Sequence, residues 1–175
     1  MSPVVDRAIG WFRGALVLLA LGALLLQIVL PSLATEMSAG YSEVAHLALP
    51  YAVAGIAALG AVEVGLFALW RLAGMVRSDR VFSEAAFRWV DVLRVALTAA
   101  AVLTAAPMVH LLFVVGVGGP GIVLGLAATV ALGGGAVLLV TVLRGILRTA
   151  IADRTELAAA LNGGITTVRV LYGYG

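Results

Sequence analysis

From Val95 to Leu143 the chain runs 49 residues without an Asp, Glu, Lys or Arg. As a single helix this stretch would be about 74 Å long at about 1.5 Å per residue, more than twice the hydrocarbon layer of a bilayer. It has to fold back on itself, and Gly116-Val-Gly-Gly-Pro-Gly121 carries the turn chemistry to do so. Two further apolar stretches precede it. Gly14 to Thr35 is uncharged, and Leu47 to Trp70 is interrupted only by Glu63. Each is long enough for one crossing at roughly 20 residues per span.

Composition removes the soluble alternatives. The chain is 63% hydrophobic and 11% charged, whereas soluble domains carry about 25% charged residues. A soluble enzyme, a nucleic-acid-binding domain and a disordered chain are excluded, and a net charge of +2 is too small to point to direct nucleic-acid binding. There is no Cys, and the only histidines are His46 and His110, so neither thiol chemistry nor a Cys-built metal site is available and no cofactor is implied. The expected fold is all-α: a four-helix antiparallel transmembrane bundle, a single membrane domain over residues 1–175. Its spans fall near 14–35, 47–70, 94–115 and 121–143, with a cytoplasmic connection at 71–93 and a cytoplasmic tail at 144–175, both extending the helices.

Arginine placement gives the orientation. All eleven basic residues are Arg. Two precede the first span (Arg7, Arg13), five lie around the second connection (Arg71, Arg77, Arg80, Arg88, Arg94) and four follow the last span (Arg144, Arg148, Arg154, Arg169). The first loop and the glycine turn have none. The positive-inside rule then predicts that both termini are cytoplasmic. Trp11, Trp70 and Trp89 fall at the inner boundary, Tyr41 and Tyr51 at the outer one. Ser32-Leu-Ala34 after an apolar run also resembles a signal-peptide cleavage site; the run is long for that role, so retention as the first span is expected.

At the inner edge, Glu84 and Arg88 are spaced i, i+4, while Arg88, Asp91 and Arg94 follow at i, i+3. This is the pattern of a charged helical face with Ser83 as its N-cap. The fourth helix is expected to reach Leu161 and stop at Asn162-Gly-Gly164, leaving Ile165 to Tyr172 as a strand or a docked tail.

Polar groups inside the spans are the candidate sites. Glu63 lies 8 residues from Arg71, about 12 Å into the membrane, where a carboxyl group needs a proton or a partner. Either it faces a cavity as an ion-responsive group, or it is neutral and bonded to Thr104 or a backbone carbonyl as glue between helices. Gly133-Gly-Gly135 reaches a similar level and allows close approach. Gln27, His110 and Thr129 fall at one height, about 21 to 24 Å from the inner boundary. That layer is read as an interhelical hydrogen-bond cluster, with a pH-sensitive site through His110 as the sharper alternative.

Glu43 and His46 offer too few ligands for a metal, and Ser42 with His46 lacks an orienting acid and an oxyanion donor. The chain is therefore read as non-enzymatic. Gly10/Gly14 and Gly121/Gly125 match the G-x-x-x-G packing spacing, a frequent coincidence with 21 glycines.

Val81-Phe-Ser-Glu84, followed by Leu93-Arg94, with the charged ending Leu143-Arg-Gly-Ile-Leu-Arg148 and Arg154-Thr-Glu-Leu157, resembles a family of small bacterial four-span membrane proteins grouped as domain of unknown function 2975. The resemblance implies the four-helix layout and no catalytic residues. It also implies a regulatory partner, since the family's genes often stand beside a short helix-turn-helix regulator. Ile165 to Gly175 falls outside the family's pattern.

Two functions compete. In the first, a regulatory or interaction module docks a cytoplasmic protein or anionic lipid through Arg77, Arg80, Arg88, Arg94, Arg144 and Arg148. In the second, a small transporter or channel subunit, assembled as a homo-oligomer, uses Glu63.

Overall fold

The computed structural model describes the backbone of residues 3–40, 42–77 and 84–171, and side chains from 7 to 149 within these, other than 37, 42–44, 76, 77, 84 and 147. Everything described is helical or turn. Helix α1 spans Pro3–Gly40, a 3₁₀ segment Ser42–Leu47 leads into α2 (Ala48–Arg77), α3 spans Glu84–His110 and passes into a π-turn at Leu111–Val115, and α4 spans Pro120–Leu171. Four of these stretches are long and apolar enough to cross a membrane, Arg7–Gly40, Ala45–Met75, Ala85–Val115 and Pro120–Ile146. This is a four-span membrane protein.

The surface agrees. Leu132 is 76% exposed and Phe113 75%; apolar side chains displayed all round a helix are compatible with lipid and not with water. Among the described residues, burial follows a thin seam of mostly small residues: Leu16 and Ala23 on α1, Ala52, Ala58, Ala68 and Ala73 on α2, and Ala86, Leu93, Ala96 and Ala100 on α3. Small side chains matter here because hydrocarbon tails are as apolar as the helices. Association then depends on van der Waals contact between closely approaching backbones.

Helix α2 packs against both α1 and α3, and the named contacts set an antiparallel register. On one side of α2, Leu30 meets Gly55, Gln27 reaches Ile56 and Arg13 lies over Trp70. On the other, Tyr51 meets His110, a Cβ at Gly65 would touch Leu93 and Ala96 at 3.6 and 3.7 Å, and Arg71 lies over Trp89. This register places Arg7, Arg13, Arg71, Arg88 and Arg94 at one end of the helices, called the arginine end below. Helix α4 approaches α3 through glycines: a Cβ at Gly125 would lie 3.2 Å from Met108 Cε, and one at Gly133 2.7 Å from Ala101 Cβ.

The turn between α3 and α4 follows the expected glycine sequence. Gly116 adopts φ 72°, the left-handed conformation that costs a residue with a side chain and not glycine. Val117 N–H donates to Leu111 O across the π-turn at 3.2 Å. Pro120 then opens α4, where its fixed φ suits the first turn and its missing N–H is not needed.

Three expectations are corrected. The first loop, expected around Glu36 to His46, is mostly helical: α1 persists to Gly40 and the 3₁₀ segment begins at Ser42, with the Thr35 and Ser38 hydroxyls donating to the Ser32 and Thr35 carbonyls at 2.7 Å. Asn162-Gly-Gly164 does not stop α4, which continues to Leu171. Glycine costs about 1 kcal/mol per residue in a helix, against about 3 for proline, and the Leu157–Leu161 run before it is rich in strong helix formers. Ile165 to Leu171 is therefore helix and not a strand. Ser83, the expected N-cap, lies outside the described residues, and α3 begins at Glu84.

The chain divides into two units, Met1–Val140, which holds the helix pairs above, and Thr141–Gly175, the arginine-bearing continuation of α4.

Candidate functional site

On α2, Glu63, Phe67 and Trp70 follow one another at i, i+4 and i+7, the spacing that brings three side chains to one face of a helix. That face lies along α1. With Leu16, Val17, Ala20 and Leu66 it lines a groove of about 270 Å³. Glu63 Oε1 is buried and has no hydrogen-bond partner. It is the one acidic side chain in an otherwise apolar and aromatic lining.

Below the groove, toward the arginine end, aromatic rings and guanidinium groups link three helices. Phe67 stacks on Trp70 with centroids 6.2 Å apart and meets Trp89 of α3 edge-on at 5.6 Å. Arg13 of α1 lies 4.9 Å over the Trp70 ring, and Arg71 of α2 lies 5.3 Å over Trp89. The order Arg13–Trp70–Phe67–Trp89–Arg71 thus runs continuously from α1 across α2 to α3. Cation–π contacts of this kind contribute roughly 0.5–2 kcal/mol each, more where water is excluded. The arrangement holds two guanidinium groups against aromatic rings at the arginine end. Sequence reasoning placed the tryptophans at this boundary and missed that the rings and arginines pair across helices. The signal was present in the i, i+3, i+4 spacing of Phe67, Trp70 and Arg71.

At the opposite end of α2, the Tyr51 hydroxyl lies 2.7 Å from His110 Nδ1, with the two rings edge-on and their centroids 6.0 Å apart. The hydroxyl donates when Nδ1 is bare and accepts when Nδ1 carries the proton. Beside this pair a second cavity of about 260 Å³ is lined by Tyr51, Gly55, Thr104 and Pro107 with apolar neighbours. Pro107 lies inside α3, and the π-turn begins one residue after His110, so α3 is irregular where it meets Tyr51.

The intramembrane candidates are not assembled as expected. Gln27 Nε2 donates to the Ile56 carbonyl at 3.3 Å, and Thr129 donates to Gly125 O of its own helix at 2.8 Å. With His110 engaged by Tyr51, the predicted Gln27–His110–Thr129 cluster does not form. The reason is azimuth: equal height along three helices does not make three side chains face one another. Thr104 donates to Ala100 O at 2.8 Å and gives Glu63 no bond. Glu63 lines the groove on the α1 side, together with Leu16 and Ala20.

Among the arginines proposed for docking, Arg88 and Arg148 are exposed. Arg94 is half-buried and pairs with Asp91 at 3.8 Å, one step of the expected charged face. Arg144 is half-buried and engaged. The side chains of Arg77 and Arg80 lie outside the described residues.

Residues 32–160 match the family described as Protein of unknown function (DUF2975). No curated protein and no solved structure matches the chain.

Proposed function

The chain belongs to this family of unknown function, and on that premise we propose that it is a non-enzymatic membrane module that docks an acidic cytoplasmic protein at its arginine end. One observation carries the proposal: α4 runs on as helix from the close of its apolar stretch at Ile146 to Leu171. Helices gain most of their stability by packing an apolar face rather than from propensity. In this segment Leu147, Ile151, Ala158, Leu161, Ile165 and Val168 fall on the alternating three- and four-residue spacing of a coiled-coil seam, broken only by Arg154. Such a stripe is suited to a partner helix.

Charge also supports a cytoplasmic partner. By the positive-inside reading all eleven arginines face the cytoplasm, against six carboxylates: Asp6, Asp79, Glu84, Asp91, Asp153 and Glu156. The surplus favours an acidic partner and speeds its encounter. The Arg13–Trp70 and Arg71–Trp89 contacts hold part of that charge in place. Anionic head groups are drawn to the same arginines, so the lipid is the competing occupant.

The test is an in-cell crosslinking capture of the tagged full chain beside an Arg88→Gln/Arg148→Gln variant, with membrane insertion checked for both. The proposal expects an acidic soluble protein that crosslinks to the parent and is lost from the variant. A partner retained unchanged by the variant, or crosslinks to lipid alone, would overturn it.

A further inference from the structure

We propose that the groove between α1 and α2 binds a small organic cation with an apolar body, its charge held at Glu63. The inference does not depend on the docking reading. Three observations meet at the groove. Glu63 Oε1 is buried without a hydrogen-bond partner, an arrangement that is expensive in hydrocarbon and that a positively charged ligand would relieve. The remaining wall is apolar, supplied by Leu16, Val17, Ala20 and Leu66. The aromatic rings of Phe67 and Trp70 complete the lining, and ring faces attract cations. Trp70 already holds one, the Arg13 guanidinium at 4.9 Å.

Other ligand classes fit less well. A hard metal ion needs about six oxygen ligands, and among the described residues no group of three His, Asp or Glu could hold a metal. An anion would meet the Glu63 carboxyl. A neutral lipid tail would fill the groove and leave Oε1 unpaired. A protonated or quaternary amine with an aromatic or branched apolar body meets the carboxyl, the rings and the aliphatic wall together. The volume of about 270 Å³ suits a small molecule. Val17 and Phe67 are 52% exposed, which opens the groove sideways to the hydrocarbon and gives the ligand a route from the bilayer.

The experiment uses the purified full chain in dodecyl maltoside micelles, with empty micelles subtracted. Two probes of the same shape are compared by equilibrium dialysis: benzyltrimethylammonium and its neutral carbon counterpart, neopentylbenzene. The cation is expected to bind saturably and the neutral probe not to. Glu63→Gln is expected to weaken cation binding at least ~tenfold, the scale of about one lost charge contact. Phe67→Leu is expected to weaken it about threefold. Equal binding of the two probes, absence of saturable cation binding, or a Glu63→Gln chain that folds and binds like the parent would each overturn the proposal. The probe pair decides the matter on the unmodified chain even where a variant does not fold.

Discussion

The Tyr51 hydroxyl and the His110 ring are 59 residues apart in sequence and 2.7 Å apart in space, and this contact ties α2 to α3 at the end remote from the arginines. Hydrogen bonds between membrane helices contribute on average about 0.6 kcal/mol and at most about 1.7. Tyr51→Phe and His110→Phe should each lower stability by roughly 1 kcal/mol. The double variant should be less destabilised than the two single effects added, because one bond is lost and not two. Unfolding in mixed micelles with increasing denaturing detergent measures all three, and strict additivity would contradict the pairing.

Glu63 gives a prediction with the opposite sign. A carboxyl group acting as glue between helices would lose a bond on neutralisation. Here Oε1 has no partner and Thr104 is bonded to Ala100. Glu63→Gln should therefore leave the unfolding midpoint unchanged or raise it. A loss above about 1 kcal/mol would show that a bond had been broken.

Adjacent glycines separate packing from propensity. A Cβ at Gly133 would sit 2.7 Å from Ala101 Cβ, while one at Gly134 would meet nothing within 4 Å. Gly133→Ala should cost about 1–3 kcal/mol by pushing α3 and α4 apart. Gly134→Ala should be neutral or slightly stabilising, since alanine is the better helix former. Parallel unfolding of the two variants checks this, and equal effects would contradict the α3–α4 contact.

The cation–π ladder should be visible in tryptophan emission. Arg13→Gln removes the guanidinium over Trp70 and leaves Arg71 over Trp89. The expected result is a spectral shift in the Arg13→Gln chain that is absent when Trp70→Leu is already present, with a stability loss of roughly 1 kcal/mol. A shift that survives Trp70→Leu would assign the change to another ring.

The sequence was informative where charge and length act and silent where rotation about a helix axis decides. The 49-residue uncharged block, its glycine turn and the four spans were legible because a bilayer imposes a length and glycine imposes a turn. Heights along the helices were legible too: Arg13, Trp70 and Trp89 were all placed at one boundary, where they meet. Facing was not. Helix α2 is apolar nearly all round, so no polar stripe shows which side of Glu63 meets α1 and which meets α3. The Gln27–His110–Thr129 layer failed for the same reason. Tyr51–His110 was hidden because aromatic side chains reach across a turn, which a count of residues from each boundary does not register. Asn162-Gly-Gly164 reads as a helix stop in sequence, but the helix formers before it carry α4 through Gly163 and Gly164.

The most direct test of partner docking at the arginine end is site-specific photocrosslinking in living cells. A photoreactive residue is placed at Arg88, at Arg148 or at Ala39 near the opposite end of the helices. The account predicts one acidic protein captured from positions 88 and 148 and not from 39, with capture from 88 reduced when Arg148 is changed to Gln. The same adducts from all three positions, or adducts only to lipid and to the chain itself, would contradict it.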